Sequence, residues 1–505
     1  PSPVKPHFVR LATLSRGASL AGEGMVARAE RVDRAELTQV PRTRHSSYAA
    51  AQPTILSAMH VILVGAGLAG CLLATQLARA GHAVELYERR GDPRAKGFVG
   101  GRSINLAISE RGLNALRTIG LDGAVLASGV RMPGRMIHPI DARSAGELYF
   151  QPYSADSNRA INSVSRGDLN RLLLDAAVEA GASVRFSHRC AGVDPLKATV
   201  EFVDESSGGS VTAMGDLVVA CDGAYSVVRA ALQKNEGFDY SQTYLGHGYK
   251  ELTIPATASG GFAMERNALH IWPRGGFMMI ALPNQDGSFT CTLFLSHLGT
   301  SIDEPGFDQL VDDASVGAFF NRWFGDAVPL MPALLEEFRR NPVGAMVTIR
   351  CRPWVRGRVA LLGDAAHAVV PFYGQGANCA FEDCVALVEC LKSSRNIDAA
   401  LLEYQARRID NANAIADLAL RNFIEMRDHT ASRLFHAKKK LEHALNRAFP
   451  NSYLPLYDMI SFSTIPYAEA RARAARQWKV VGAVAGATAL VGAGAAVGLM
   501  AALIG

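Results

Sequence analysis

The chain has 505 residues, 49% hydrophobic and 20% charged, which suits two or three domains at roughly 100 to 200 residues each and excludes a disordered chain. Its 52 Lys and Arg against 47 Asp and Glu give a net charge of +5, and residues 1–58 alone carry eight basic and four acidic side chains. The remainder is close to neutral, which excludes the basic surface of a nucleic-acid binder. The eight cysteines, Cys71, Cys190, Cys221, Cys291, Cys351, Cys379, Cys384 and Cys390, include no C-x-x-C pair and no His/Cys run at zinc spacing. Neither a metal site nor a disulfide framework is expected, and a reducing compartment fits best.

Residues 1–58 show no sustained hydrophobic period, are rich in Ser, Thr, Pro, Ala and Arg, and stop just before Met59. They are expected to lie outside the fold, without order, as upstream sequence carried into the reading frame, an Arg-rich targeting segment or a functional arm. From Met59 the text MHVILVGAGLAGCLLATQLARAGHAVELYERR reads as an apolar strand, a glycine turn, a helix and a second strand ending in an acid: a βαβ unit. Asp216 to Cys221, Ala345 to Cys351 and Arg358 to Leu362 read as further strands, and Asp168 to Ala180 as a helix. Between about Ser241 and Phe294, β-branched and aromatic residues alternate between Gly/Pro turns, the pattern of an antiparallel sheet.

After Phe381, apolar residues recur at three and four spacing, predicting a helical region over 385–478. Val480 to Gly505 carries no charge. As a helix it would reach about 39 Å, past the roughly 30 Å hydrocarbon core, and RARAARQWK precedes it. Fifteen of its 26 residues are Ala or Gly, so a packed or helix-pairing tail using Gly482–Gly486 and Gly494–Gly498 stands beside the membrane anchor as an alternative.

Gly65, Gly67 and Gly70, with Leu68 and Ala69 between them, follow a strand and open a helix, the context that gives a glycine fingerprint its meaning. The first glycine permits the tight turn, the second lets the backbone approach a pyrophosphate, and the third lets helix and strand pack closely. The helix start offers unpaired N–H groups to the anion. Glu88, at the end of the second strand, is placed to accept hydrogen bonds from an unphosphorylated ribose. One fingerprint in the chain points to a single tightly held dinucleotide, a flavin adenine dinucleotide (FAD).

Two later motifs agree. Cys221-Asp222-Gly223-Ala224-Tyr225-Ser226 with Arg229 follows a strand and resembles the DG motif of flavoprotein hydroxylases, although Asp-Gly alone marks only a turn. Gly363-Asp364-Ala365-Ala366-His367-Ala368, followed by Pro371 and Gly374-Gln375-Gly376, suits a ribityl hydroxyl at Asp364 and backbone N–H groups near the pyrimidine.

With GRSINLA, MIHP, SVSRGDLNR, HGYKELTIP, LHIWPR, GDAAHAVVPFYGQG, NFIEMRDH and PLYDMISFS in this order, the sequence over about 59–478 resembles the kynurenine 3-monooxygenase family of single-component FAD-dependent aromatic hydroxylases. The resemblance implies an α/β fold: a Rossmann-like, discontinuous FAD-binding domain over 59–384, with an antiparallel-sheet substrate domain inserted at about 135–160 and 241–342. A helical domain over 385–478 and the tail at 480–505 follow. FAD contacts carry over to Glu88, Arg89, Ala107, Arg166, Asp222, Asp364, Gly376, Ala377 and Asn378, besides the glycine loop. Substrate contacts carry over to Arg135, Tyr153, Asn422 and Tyr457, with Tyr149 as the alternative to Tyr153.

The implied reaction hydroxylates L-kynurenine to 3-hydroxy-L-kynurenine in tryptophan degradation. O2 is the oxygen source, NADPH a transient hydride donor, and a flavin C4a-hydroperoxide the oxygen carrier. No catalytic side chain is required beyond the flavin: Pro371 and Phe372 lie near it, and His367 orders the turn rather than acting as a base. A bacterial cytoplasm or inner membrane is expected ahead of an outer mitochondrial membrane. A hydroxylase of another aromatic acid, and a non-catalytic flavin-binding partner, are the competing readings.

Overall fold

A computed structural model describes residues 57–95, 105–140, 148–429 and 433–484. The expected leader lies almost entirely outside the described residues, as do 485–505, most of the apolar tail.

The first strand, His60–Val64, is apolar along its length because both its faces are covered; Val61, Ile62 and Leu63 are fully buried. It pairs in parallel with Ala83–Tyr87 on one side and Leu217–Ala220 on the other. Val359–Leu361 and Ser183–Arg185 extend the sheet in parallel, and Val355–Arg356 closes one edge antiparallel, giving six strands. The helix Leu68–Arg79 crosses over between the first two strands and packs against the helices Arg166–Glu179 and Gly376–Ser393.

The second large sheet has seven strands in the order Gly344–Arg352, Asp239–Ile254, Phe289–Ser296, Met278–Pro283, Leu269–Pro273, Gly134–Ile137 and Tyr149–Pro152. Neighbours run antiparallel except Leu269–Pro273 and Gly134–Ile137, which run parallel. Side chains alternate between its faces. Cys291, Leu293 and Leu295 join Phe319, Phe320 and Phe338 of the helices Asp313–Trp323 and Leu334–Arg340 in one core. On the other face, Phe294 and Met278 pack with Phe372 and Phe423.

Three elements differ from expectation. Gly344–Arg352 pairs with Asp239–Ile254, so the antiparallel sheet runs past the expected boundary at 342; the strand's alternating burial suits an edge of either sheet. A three-stranded antiparallel sheet, His188–Asp194, Thr199–Asp204 and Ser210–Met214, was not foreseen. Helix begins at Gly376, ahead of 385, and continues through Ile397–Ile424, Arg433–Ala448, Leu456–Ser461 and 467–484. No helix among the described residues is long and apolar enough to cross a membrane. All eight cysteines are free, and all but Cys221 are buried.

Candidate functional site

The three fingerprint glycines divide their work as their positions require. Gly65 has φ +103°, and a Cβ on it would stand 2.6 Å from the Cys221 carbonyl oxygen, while one on Gly70 would stand 2.0 Å from the carbonyl oxygen of Gly65. These two let strand, turn and helix touch. A Cβ on Gly67 would meet nothing within 4 Å, so the turn is open on the side where a ligand would approach. The helix behind it has no side-chain cap, leaving its first N–H groups directed at that opening. Glu88 braces the turn, accepting from Ala66 N at 2.9 Å and Arg90 N at 3.0 Å.

The two later motifs meet across one side chain. Arg229 donates to the Ala365 carbonyl at 2.7 Å and the Ala224 carbonyl at 2.6 Å, tying the Asp222 turn to the Asp364 turn. Asp222 accepts from Val227 N at 2.8 Å and Val228 N at 3.3 Å through Oδ2, and burial pushes its carboxyl up. Its Oδ1 is buried with no hydrogen-bond partner among the described residues. Asp364 is exposed at the start of the turn Asp364–His367, and Gly376 and Ala377 begin an 18-residue helix that also lacks a side-chain cap.

His367 is buried and bonded to Asp383 at 2.5 Å, and Asp383 also accepts from Gly363 N at 3.1 Å and Arg408 Nε at 2.6 Å. Burial alone would raise the Asp383 carboxyl; His367 and Arg408 outweigh it and hold the group low. The trio His367, Cys379 and Asp383 has ligand atoms within 4.8 Å of one another. The Arg408 guanidinium, 3.3 Å from Cys379 Sγ, already supplies the cation there. His367 therefore orders the turn. Asn378, fully buried, donates to the carbonyls of Ala107 at 2.8 Å and Gly374 at 2.7 Å and accepts from Ser109 N at 3.0 Å.

All these turns open on a cavity of about 680 Å³ whose wall includes Gly67, Leu68, Ala69, Ala107, Arg166, Asp364, Gly376, Ala377, Pro371 and Phe372, and also Arg135, Tyr153 and Tyr457. Arg135 is 5% exposed and its Nε has no partner among the described residues. Its guanidinium lies 5.3 Å from the Tyr153 ring and 5.6 Å from the Tyr457 ring. Those two rings stack at 5.0 Å, and Tyr373 stacks on Tyr457 at 5.6 Å. Tyr149 is 42% exposed and off the wall, so the buried tyrosine at this end is Tyr153.

Five expected contacts lie off the cavity wall. Asn422 is buried and donates to the Phe372 carbonyl at 2.6 Å, behind the wall. Glu88, Asp222 and Asn378 brace the turns as described. Arg89 is exposed and off the wall, which Arg90 joins instead. Sequence reasoning passed over Thr292, Tyr373 and Met426, which also line the cavity. Thr292, in the strand Phe289–Ser296, has a hydroxyl that is buried without a partner among the described residues. The uncapped helix starts and the open face at Gly67 fit an extended anionic dinucleotide such as FAD.

Asp458 links the walls from behind. It is 1% exposed, accepts from Ser154 Oγ at 2.9 Å, and its other oxygen has no partner among the described residues. Burial raises its pKa to about 6. A carboxyl raised in the folded state contributes stability that is present below its unfolded pKa and is lost as pH rises through about 6. Asp458→Asn should therefore flatten the stability profile between about pH 4 and 6 and stabilise the protein above it, on the order of 2 kcal/mol. Urea unfolding across that window tests this, and an unchanged profile would refute it.

Residues 58–419 match the family described as FAD binding domain. The kynurenine 3-monooxygenase of Myxococcus xanthus (strain DK1622) is 48% identical over 409 residues, 81% of this chain and 86% of that protein. That of Stenotrophomonas maltophilia (strain K279a) is 45% identical over 412 residues, covering 81% and 89%. Among solved structures, a tetrameric 2-methyl-3-hydroxypyridine-5-carboxylic acid oxygenase superposes with TM-score 0.60 at 20% identity over 79% of this chain and 99% of its own. PqsL of P. aeruginosa does so with TM-score 0.59 at 20% identity, covering 74% and 97%. The last two establish the fold alone. The glycine turn, the two motif turns and the extent of the match to curated relatives together place the chain in the kynurenine 3-monooxygenase family of FAD-dependent hydroxylases.

Proposed function

We infer that this enzyme converts L-kynurenine to 3-hydroxy-L-kynurenine, with FAD as its cofactor and NADPH and O2 as co-substrates. The observation that carries the substrate reading is Arg135: a buried guanidinium with no carboxylate ion-paired to it among the described residues, framed by tyrosine rings, in the same cavity as the dinucleotide turns. A planar guanidinium binds a carboxylate through two parallel bonds, and kynurenine offers one on its amino-acid end.

The bound flavin supplies the redox and oxygen chemistry. The glycine turn, Asp364 and the backbone at Gly376 and Ala377 would hold it. The chain's task is then to bind, orient and exclude water. Arg135 fixes one end of the substrate, and Phe294, Met346 and Phe372 on the wall shield the ring. No protein base is needed, since the amino group conjugated to the ring makes the ortho carbon electron-rich.

The test is NADPH oxidation by the purified flavoprotein with and without L-kynurenine, assaying 3-hydroxykynurenine and hydrogen peroxide. Stimulated turnover with hydroxylated product is expected; peroxide alone would assign another substrate. In the same assay Asn422→Ala, which removes the bond to the Phe372 carbonyl, should divert a several-fold larger share of NADPH to peroxide while the Michaelis constant for kynurenine changes less than twofold. Unchanged coupling would show that this bond does not hold the wall.

A further inference from the structure

Two buried histidines lie back to back on the far face of the strand that carries Arg135. His138 follows Gly134–Ile137, and His270 belongs to the parallel neighbour, in which Leu269 pairs with Arg135 and His270 with Met136. Alternation turns Met136 and His138 away from the face of Arg135. His138 Nδ1 lies 2.6 Å from Asp326 Oδ2, its Nε2 lies 2.8 Å from His270 Nδ1, and His270 Nε2 lies 2.8 Å from the Glu265 carbonyl oxygen. The imidazoles are 3% and 0% exposed.

A carboxylate and a carbonyl, at the two ends of this row, only accept. Three hydrogen bonds between two such ends need three N–H hydrogens, and two neutral imidazoles carry two. The row is complete only with one further proton. Trp272 Nε1 donates to both oxygens of Asp326, at 3.0 and 2.9 Å, which favours the carboxylate and leaves the extra proton on the rings. We propose that His138, His270 and Asp326 share this third proton, and that it positions the strand of Arg135 for the substrate carboxylate.

Arg135 gives the relay its leverage. Its Nε has no partner among the described residues, and Tyr153, Tyr457 and the charge of Glu425 are what act on its guanidinium, so its position depends on its backbone, which pairs on one side with the strand on which His270 sits. His138 itself is pinned on both sides: its N–H donates to the Ile271 carbonyl at 2.9 Å, and its carbonyl accepts from Arg274 at 2.9 Å. The charged groups facing the pair are Asp326 and Arg274. Burial pushes both imidazoles down, His270 to about 4, and Arg274 adds to the push on His138. Asp326 works against this, so the shared proton belongs to the network and leaves it as pH rises. Once it has left, one buried hydrogen bond has no hydrogen and two lone pairs face each other.

These residues act through Arg135 and are positioning residues; the proposal rests on the reading of Arg135 as the kynurenine anchor. Two readouts on the holoenzyme test it. In ¹⁵N-histidine-labelled protein, assigned with His138→Asn and His270→Asn, the two rings should show three N–H hydrogens at the acid end of about pH 5 to 8 and two at the other. Two throughout would overturn the shared proton.

Asp326→Asn supplies the third hydrogen from its carboxamide without a net charge. The wild-type Michaelis constant for kynurenine should rise several-fold across the same pH step with little change in kcat. The Asp326→Asn value should stay flat and low, and the Asp326→Ala value should be raised at every pH. An Asp326→Asn profile that keeps the wild-type slope would overturn the coupling. If the enzyme does not turn over kynurenine at all, the substrate reading fails, while the hydrogen count, which needs no substrate, still decides the relay.

Discussion

Arg135→Leu should raise the Michaelis constant for L-kynurenine by about 10² to 10³-fold, the equivalent of about 3 to 4 kcal/mol, while leaving the melting temperature unchanged or higher. The two halves of this expectation have one cause. In the free enzyme the guanidinium is 5% exposed, its Nε is unpartnered, and rings at 5.3 and 5.6 Å are its neighbours. Cation–π attraction returns about 0.5 to 2 kcal/mol, less than it costs to bury a cation. Leucine removes the charge and breaks no direct ion pair among the described residues, Glu425 acting on Arg135 only through its field.

With substrate bound the balance inverts, because the kynurenine carboxylate would enter the same desolvated place without a partner. Arg135→Lys should recover part of the loss, since an ammonium keeps the charge and lacks the planar fork. A kynurenine analogue without its carboxylate completes a double-mutant cycle: it should bind weakly to wild type and no more weakly to the leucine variant. Additive losses would mean that Arg135 does not touch the carboxylate.

What the sequence disclosed and what it hid divide along a physical line. The glycine turn was legible because its chemistry is local: backbone at Gly65, Gly67 and Gly70 must pass close to other backbone, and only glycine permits that. The same holds for the turns at Asp222 and Asp364, each a strand end followed at once by a helix start. Arg135, Tyr153 and Tyr457 were legible only through resemblance, because a pair of strands and a helix some three hundred residues further on bring them together, and no period in the chain encodes that meeting. Asn422 adds what resemblance does not carry. It is buried behind the cavity wall, where its NH2 donates to the Phe372 carbonyl, a placement that only the packing of the helix Ile397–Ile424 against the turn reveals. The relay of His138, His270 and Asp326 was invisible for the same reason. MIHP and LHIWPR are adjacent only because a parallel pairing sits inside an otherwise antiparallel sheet, and that register has no local signal.

The fingerprint glycines, by contrast, should separate under substitution into two that build the fold and one that serves the ligand. Gly70→Ala would drive a Cβ to 2.0 Å from the Gly65 carbonyl oxygen. Neither strand nor helix can yield without opening the core around Leu72 and Ile62, so a loss of about 3 kcal/mol or more and little soluble holoenzyme are expected. Gly65→Ala suffers twice, from φ +103° and from a contact of 2.6 Å with the Cys221 carbonyl oxygen, and should be comparably damaging. Gly67 has φ −74°, ψ −175°, a conformation alanine adopts freely, and its Cβ would meet nothing within 4 Å. Gly67→Ala should thus leave the apoprotein as stable as wild type, or more stable by about 0.4 to 1 kcal/mol.

It should nonetheless lose FAD. The methyl group would project into the space where a pyrophosphate must reach the N–H groups of the helix Leu68–Arg79, and each anion contact lengthened there weakens a charge-assisted bond. A fall in flavin affinity on the order of 10²-fold is expected, about 2.7 kcal/mol. Apoprotein melting curves read the first quantity and flavin titration followed by absorbance the second. If Gly67→Ala kept wild-type flavin affinity, the pyrophosphate would not lie on this turn. An unstable Gly67→Ala apoprotein would mean instead that the open face at residue 67 is closed by protein, and that all three glycines are there for packing.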